Sequence, residues 1–234
     1  EKAYFSYGFL NSNANSDILN QNDNTLHQTF AVYKPNEETI LQFGFGLLKE
    51  KNTFLNSKSS GIFGNLNNNH SNFLTIGAKS SITDNWHLFG TYAEVIGDAP
   101  NNSGFFSDWG KIRANAISAG ISSSNTFIEN DKIAFSLYQP MRVYKANANL
   151  TLPIGTEPRP NGKILYKTER ISIKPSDRQI DFQAAYSWKS KFIQTSAFGL
   201  LSINPGHDSK EKNDYTFDSI SIFLHIVILI EKIS

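Results

Sequence analysis

The chain has 234 residues, with 13% aromatics, no cysteine, and 22 Lys plus Arg against 21 Asp plus Glu. A charge balance this even leaves no basic stripe for nucleic acid, and the lack of cysteine excludes disulfides and thiolate metal sites. No run reaches the roughly 18–20 apolar residues of a membrane helix; the nearest, Ile220 to Ile230, is interrupted by His225.

The chain opens at Glu1 with no basic stretch and apolar core behind it, so no signal peptide is visible. Either a leader has been removed or the chain is the tail of something longer; the second reading is favoured below. Extended segments then follow one another, recognised by alternating or aromatic-rich runs between turn residues. They are expected at 2–10, 26–34, 39–49, 72–83, 86–97, 111–123, 132–144, 147–154, 163–173, 179–188, 192–203 and 215–229.

The first segment puts Ala3, Phe5, Tyr7 and Phe9 on one side. Segment 26–34 offers little beyond Phe30 and Val32. In Gln42-Phe43-Gly44-Phe45-Gly46 two glycines that weaken a helix by about 1 kcal/mol each alternate with phenylalanines, which predicts a strand with a smooth inner face. Leu74, Ile76 and Ala78 share a face opposite Thr75 and Lys79. Phe89, Ala93 and Val95 share one, with Thr91 among them. Ala148, Leu150, Leu152 and Ile154 oppose Asn147, Asn149 and Thr151. Between Lys163 and Lys174 the apolar parity slips, from Ile164 and Tyr166 to Ile171 and Ile173, which predicts a bulge or two shorter strands. Ile180, Phe182, Ala184, Tyr186 and Trp188 form the cleanest apolar face.

The connections gather Asn, Ser, Gly, Asp and Pro, at 11–17, 67–70, 101–104 and 158–162, with Thr83-Asp84-Asn85 as a tight hairpin turn. Loop lengths alternate at first, long at 11–24 and 97–110 and short at 35–38 and 84–85, then break where 174–178 and 189–191 are both short. The fold expected is all-β and antiparallel, a barrel or barrel-like sheet of roughly 10–12 strands of the outer-membrane type. Periodicity alone leaves a membrane barrel and a soluble secreted β-structure both open. The expected organisation is a barrel-like domain over 1–207 and an atypical tail over 208–234 that holds a candidate last strand.

No constellation of residues announces chemistry. The histidines, His27, His70, His87, His207 and His225, lie outside any His-Gly-Thr context, and no Gly-Thr-Ser nucleophile turn is present. His207 reads as a ligand, a general base, or simply an exposed turn residue. Asp181 and Glu94 read as an acid–base pair or, preferably, as hydration of a barrel interior. Arg142, Arg170 and Arg178 would line a pore or pair with acids. Trp86, Trp109 and Trp188 fall near strand ends, as girdle aromatics or as ordinary core and rim residues. No catalytic, metal-binding or cofactor-binding residue is assigned, and no cofactor is expected.

Some stretches carry a resemblance. Phe43-Gly44-Phe45-Gly46-Leu47-Leu48-Lys49-Glu50 is followed by Phe54-Leu55 and Gly61-Ile62-Phe63-Gly64. Gln139-Pro140-Met141-Arg142-Val143, Leu150-Thr151-Leu152-Pro153-Ile154-Gly155, Pro175 to Phe182, and Asn204-Pro205-Gly206-His207 then follow in order. In this order they resemble the C-terminal, autotransporter-like β-region of subtilisin-like serine proteases from Gram-negative, especially alphaproteobacterial, species. The resemblance implies a non-catalytic β-domain that anchors or helps export an upstream catalytic domain. It implies as partners that upstream protease passenger, outer-membrane lipid and the barrel-insertion machinery, and as location the outer membrane or cell surface. A free-standing outer-membrane barrel (porin-like or a small enzyme) and a soluble secreted or periplasmic β-domain are the alternatives. The chain departs from the pattern at Asp177-Arg178-Gln179, where a Gly-Arg-Glu-like triplet is usual. It departs again after His207, where Phe223 to Ile230 loses clean alternation and the end, Glu231-Lys232-Ile233-Ser234, lacks a final aromatic; a truncated or frame-shifted last strand fits both features.

Overall fold

The computed structural model describes residues 2–13, 23–50, 53–54, 57–58, 69–98, 104–158, 162–190 and 193–224. The chain is all-β, with no α-helix among these residues, and every strand pair is antiparallel. Ten strands form one meander sheet: β1 (Lys2–Asn13), β2 (Asp23–Lys34), β3 (Thr39–Glu50), β6 (Asn69–Ser81), β7 (Trp86–Asp98), β9 (Ile112–Ser124), β10 (Asp131–Lys145), β13 (Ile180–Lys189), β14 (Ile193–Ile203) and β15 (Asp214–Leu224). Two short strands, β4 (Thr53–Phe54) and β5 (Ser57–Lys58), pair with each other, and β8 (Phe106–Ser107), β11 (Asn147–Thr156) and β12 (Ile164–Ser172) make a three-stranded sheet. Among the described residues β1 pairs only with β2 and β15 only with β14, so the large sheet is open.

Cross-strand register sorts the large sheet into two faces. One row runs Phe5–Ala31–Phe43–Ile76–Tyr92–Ile117 from β1 to β9. It is continued by Leu137–Phe182–Leu201–Tyr215 from β10 to β15. The row one residue away runs Tyr4–Val32–Gln42–Gly77–Thr91–Ser118 and on through Tyr138–Asp181–Ser202–Asp214. The first face is apolar, and the second is mostly small and polar.

Burial runs opposite to polarity. On β6, Leu74 and Ile76 are 47% and 43% exposed, while Ser71 is 1% exposed and Gly77 is buried. A water-soluble sheet buries its apolar face. Here that face is uncovered on strand after strand, Phe5, Phe45, Leu88, Phe135 and Phe182 included.

Several sequence expectations change at this point. Phe30 and Val32 lie on the polar face, and it is Ala31, Thr29 and Tyr33 that join the apolar one. On β7 the apolar face is Leu88, Gly90 and Tyr92, whereas Phe89, Ala93 and Val95 point to the polar side, with Val95 1% exposed. The cause is aromatic cover over glycine. A Cβ added to Gly44 would sit 2.8 Å from Phe30 Cε1, and one added to Gly120 would sit 2.5 Å from Phe89 Cζ. Gly120 is also hemmed by the Phe135 carbonyl oxygen, 2.5 Å from that added carbon. Gly120→Ala is therefore expected to cost about 1–3 kcal/mol in urea unfolding. Gly44→Ala should cost less, because its closest neighbours are the edge of the Phe30 ring, with Thr75 Cβ next at 3.3 Å, and no backbone atom.

Segments 147–154 and 163–173 leave the large sheet. β10 runs through Ala146 into β11, and β11 with β12 forms a hairpin set apart from it. β12 is one unbroken strand; the register shift lies on β11, between Pro153 and Gly155. Ala146 and Ile112 form a small core at the junction, packed with Trp109, Val143 and Ile173. Once this hairpin is counted as part of a connection, loop lengths alternate without a break. Residues 35–38, 82–85, 125–130 and 190–192 join strands at one rim, and 14–22, 51–68, 99–111, 146–179 and 204–213 at the other. The loop expectations at 14–17, 67–68, 101–103 and 159–161, and the strand expectation beyond 224, fall outside the described residues.

Candidate functional site: a motif cluster at the long-loop rim

Four of the stretches that carry the resemblance lie far apart in sequence, and three of them meet at the long-loop rim. After β14, Asn204 (φ 52°), Gly206 (φ 66°) and His207 (φ 61°) take left-handed geometry around Pro205 in a single 3-10 turn. Glycine and asparagine enter that region at low cost; His207 is held there by its bonds. Its Nδ1 accepts the Gln179 backbone N–H at 2.9 Å and its Nε2–H donates to the Met141 carbonyl at 3.1 Å. That pairing fixes a neutral ring with the proton on Nε2. The Asp177 N–H donates to the His207 carbonyl at 2.9 Å, and the Gly206 N–H donates to Gln179 Oε1 at 2.9 Å.

The β10 stretch supplies the other half. Arg142 donates from Nε to the Asp177 carbonyl at 2.6 Å and from Nη2 to the Pro175 carbonyl at 3.2 Å. Arg178 Nη1 donates to Gln139 Oε1 at 2.7 Å, and Gln139 donates in turn to Asn115. Gln179 Nε2 donates to Asp181 Oδ1 at 2.8 Å. The Leu150 to Gly155 stretch lies in the neighbouring β11–β12 hairpin, docked through Arg170, whose Nη1 bonds Asp108 Oδ2 at 2.9 Å, the Asp108 carbonyl and Asn149.

Arg142 thus staples loop backbone to strand, Arg178 holds the Gln139 side chain, and Arg170, itself exposed, pairs with the acid Asp108. His207 is half-buried, with both ring nitrogens engaged, and is neither an exposed turn residue nor a free base. Asp181 and Glu94 are not a pair. Asp181 is 5% exposed on the polar face of β13, whereas Glu94 lies on the apolar-face register of β7, with β9 and β10 between the two strands. Glu94 accepts from the hydroxyls of Tyr92 and Tyr144. Sequence reasoning missed this tyrosine pair, and only the register across β7, β9 and β10 reveals it.

Trp86 and Trp188 stand on the apolar-face register at the short-turn rim, while Trp109 packs on the junction core 5.8 Å from the Phe106 ring. Among the described residues no group of His, Asp and Glu is placed to hold a metal ion. Compared with protein-family models, curated proteins and solved structures, the chain matches none.

Burial of His207, helped by the nearby Arg142 and Arg178 charges, lowers its pKa below the ordinary imidazole value; the Met141 carbonyl and Asp181 pull the other way. The unfolded chain therefore takes up this proton at a higher pH than the folded one. The clamp's contribution is complete above about pH 6.5 and is lost as pH falls through the lowered folded value. Thermal unfolding of wild type between pH 7.5 and 5 should show a drop in Tm that His207→Ala, weaker throughout, does not reproduce.

Proposed function

We propose that the chain is a membrane-embedded β-barrel domain whose apolar face meets lipid, whose polar face lines an interior, and which serves as the anchor of a larger surface protein. The observation that carries this reading is the inverted burial: an apolar face left open across ten paired strands while serine, glycine and aspartate on the other face are buried. Such a surface is far beyond what a soluble monomer leaves uncovered.

Three features support it. Strands β1, β2 and β3 have 12 residues each, roughly 40 Å extended and about 30 Å tall when tilted, which is a hydrocarbon thickness. Short and long connections alternate by rim, as barrel turns and surface loops do. The edges β1 and β15, first and last of an even meander, can pair antiparallel; in lipid they must, since unpaired backbone groups are not tolerated there.

In this reading the short turns face the periplasm of a Gram-negative cell, the long-loop clamp faces outward, and the barrel-insertion machinery completes closure. Lys2 and Leu224 both lie at the short-turn rim. The resemblance supports a subtilisin-like protease as the upstream part; a Ser-His-Asp domain encoded in frame ahead of Glu1 would test that assignment. Barrel formation is tested by folding the chain into detergent and vesicles. A closed barrel migrates differently on gels before and after boiling and resists protease only when lipid is present. Full folding in buffer without detergent would overturn the reading.

A further inference from the structure

The charges on the polar face of the large sheet are sorted along the strands. At the short-turn rim the register places Lys2, Lys34, Lys79, Lys132 and Lys189 on this face, together with His87. No strand carboxylate shares that face in that half among the described residues. At the long-loop rim the same face carries Glu50, Asp181 and Asp214, and no strand lysine or arginine among the described residues. The strand charges on this face thus differ in sign between its two ends, with the turn carboxylates Glu37, Glu38, Asp84 and Glu129 at the first rim and Arg142 and Arg178 at the second standing outside that row.

Within the positive half there is a cavity of about 380 Å3 lined by Lys79, His87 and Lys132 together with Ser122, Ser124 and Ser187. Lys79 and Lys132 enter from strands three spacings apart, roughly 14 Å, so their flexible stems approach the cavity from two sides. Neither has an ion-pair partner among the described residues. The Ser81 hydroxyl lies 2.9 Å from His87 Nδ1; when the hydroxyl donates there, the proton sits on Nε2 and that nitrogen is a donor. Ammonium groups, an imidazole N–H and serine hydroxyls without a lining carboxylate form a donor set that suits an oxyanion of several oxygens.

We infer that the polar face holds an anion site at the short-turn rim, built on Lys79, Lys132 and His87, which takes a phosphate-sized oxyanion, free or as the phosphoryl group of a small solute. In a closed barrel this site lies at one mouth of the interior, so it deepens the membrane-barrel reading.

The test uses the full chain folded in a phosphate-free, uncharged detergent. Inorganic phosphate is titrated by 31P line broadening, with a parallel arm in which phosphatidylglycerol is doped into the micelles. Saturable broadening is expected for inorganic phosphate, with competition by sulfate and not by equal chloride. The double variant Lys79→Gln/Lys132→Gln should weaken it about tenfold or more, while Lys49→Gln, on the other face, leaves it unchanged. Competition by phosphatidylglycerol would assign the site to lipid headgroups. Should the double variant misfold, amine methylation of wild type serves instead: phosphate should protect Lys79 and Lys132 and not Lys49. Equal binding by the double variant, or no protection of the two lysines, overturns the site. Vesicle insertion is scored separately, so insertion without phosphate saturation removes the site alone, and saturation without insertion removes the barrel reading alone.

Discussion

Phe43→Lys is expected to cost about 2–4 kcal/mol of stability in a bilayer, while Gln42→Lys, one residue away, should cost little. Phe43 sits in the middle of the apolar row, between Ala31 and Ile76, and is 47% exposed. Gln42 faces the polar side and is exposed there, beside Gly77. In water a lysine at position 43 would relieve an open apolar surface, so a soluble fold predicts no loss or a gain in solubility. The sign of the effect therefore separates the two environments. Urea unfolding of the protein inserted in vesicles, followed by gel mobility and tryptophan emission, reads it. A destabilised Phe43→Lys beside an unaffected Gln42→Lys fits the membrane reading; equal behaviour of the two does not.

Asp131→Ala is expected to cost about 3 kcal/mol or more. Asp131 is 0% exposed at the start of β10. Its carboxylate accepts the N–H groups of Thr126, Phe127 and Ile128 at 2.6, 2.9 and 3.2 Å. The turn it holds contains Asn125 (φ 53°) and Asn130 (φ 64°), tied by Asn130 N–H to Asn125 Oδ1 at 2.7 Å. Without the carboxylate, three backbone N–H groups of the turn lose their acceptor and the β9–β10 hairpin loses its closure. Asp131→Asn keeps one acceptor oxygen and should fall between wild type and alanine. Chemical denaturation of the three proteins gives the order. An alanine variant as stable as wild type would mean that the turn closes without this side chain.

Much of the strand pattern was legible in the sequence because the two-residue rhythm is a local property. Phe182, Ala184 and Tyr186 do share a face, as do Leu74, Ile76 and Ala78. The rhythm misled where size and side disagree. Phe89 and Val95 outweigh Leu88 and Gly90 in hydrophobicity, so β7 reads with its faces exchanged; the reason Phe89 points to the polar side is Gly120, a neighbour distant in sequence. The β11–β12 hairpin reads as two more spanning segments because β11 alternates as well as the sheet strands do, although the parity slips along β12. Only pairing partners distinguish it, and counting it as part of the sheet hides the alternation of loop lengths.

The rim cluster was visible only as separate fragments. Its bonds run from Arg142 and His207 to the backbone carbonyls of Asp177, Pro175 and Met141. A carbonyl carries no residue identity, so no pattern in the sequence could point to it. The division of Glu94 and Asp181 between two faces likewise depends on the register across β9 and β10, which a single sequence does not state.

The absence of cysteine makes the decisive measurement direct. Single cysteines placed in turn from Asn72 to Ser80 along β6, each carrying an environment-sensitive fluorophore, are read in lipid vesicles with a lipid-attached and a water-soluble quencher. Positions 74, 76 and 78 are expected to emit as if in hydrocarbon and to be quenched from the lipid. Positions 73, 75, 77 and 79 should emit as if in a polar interior. Emission without a two-residue alternation, or alternation with the odd positions in lipid, would contradict the account.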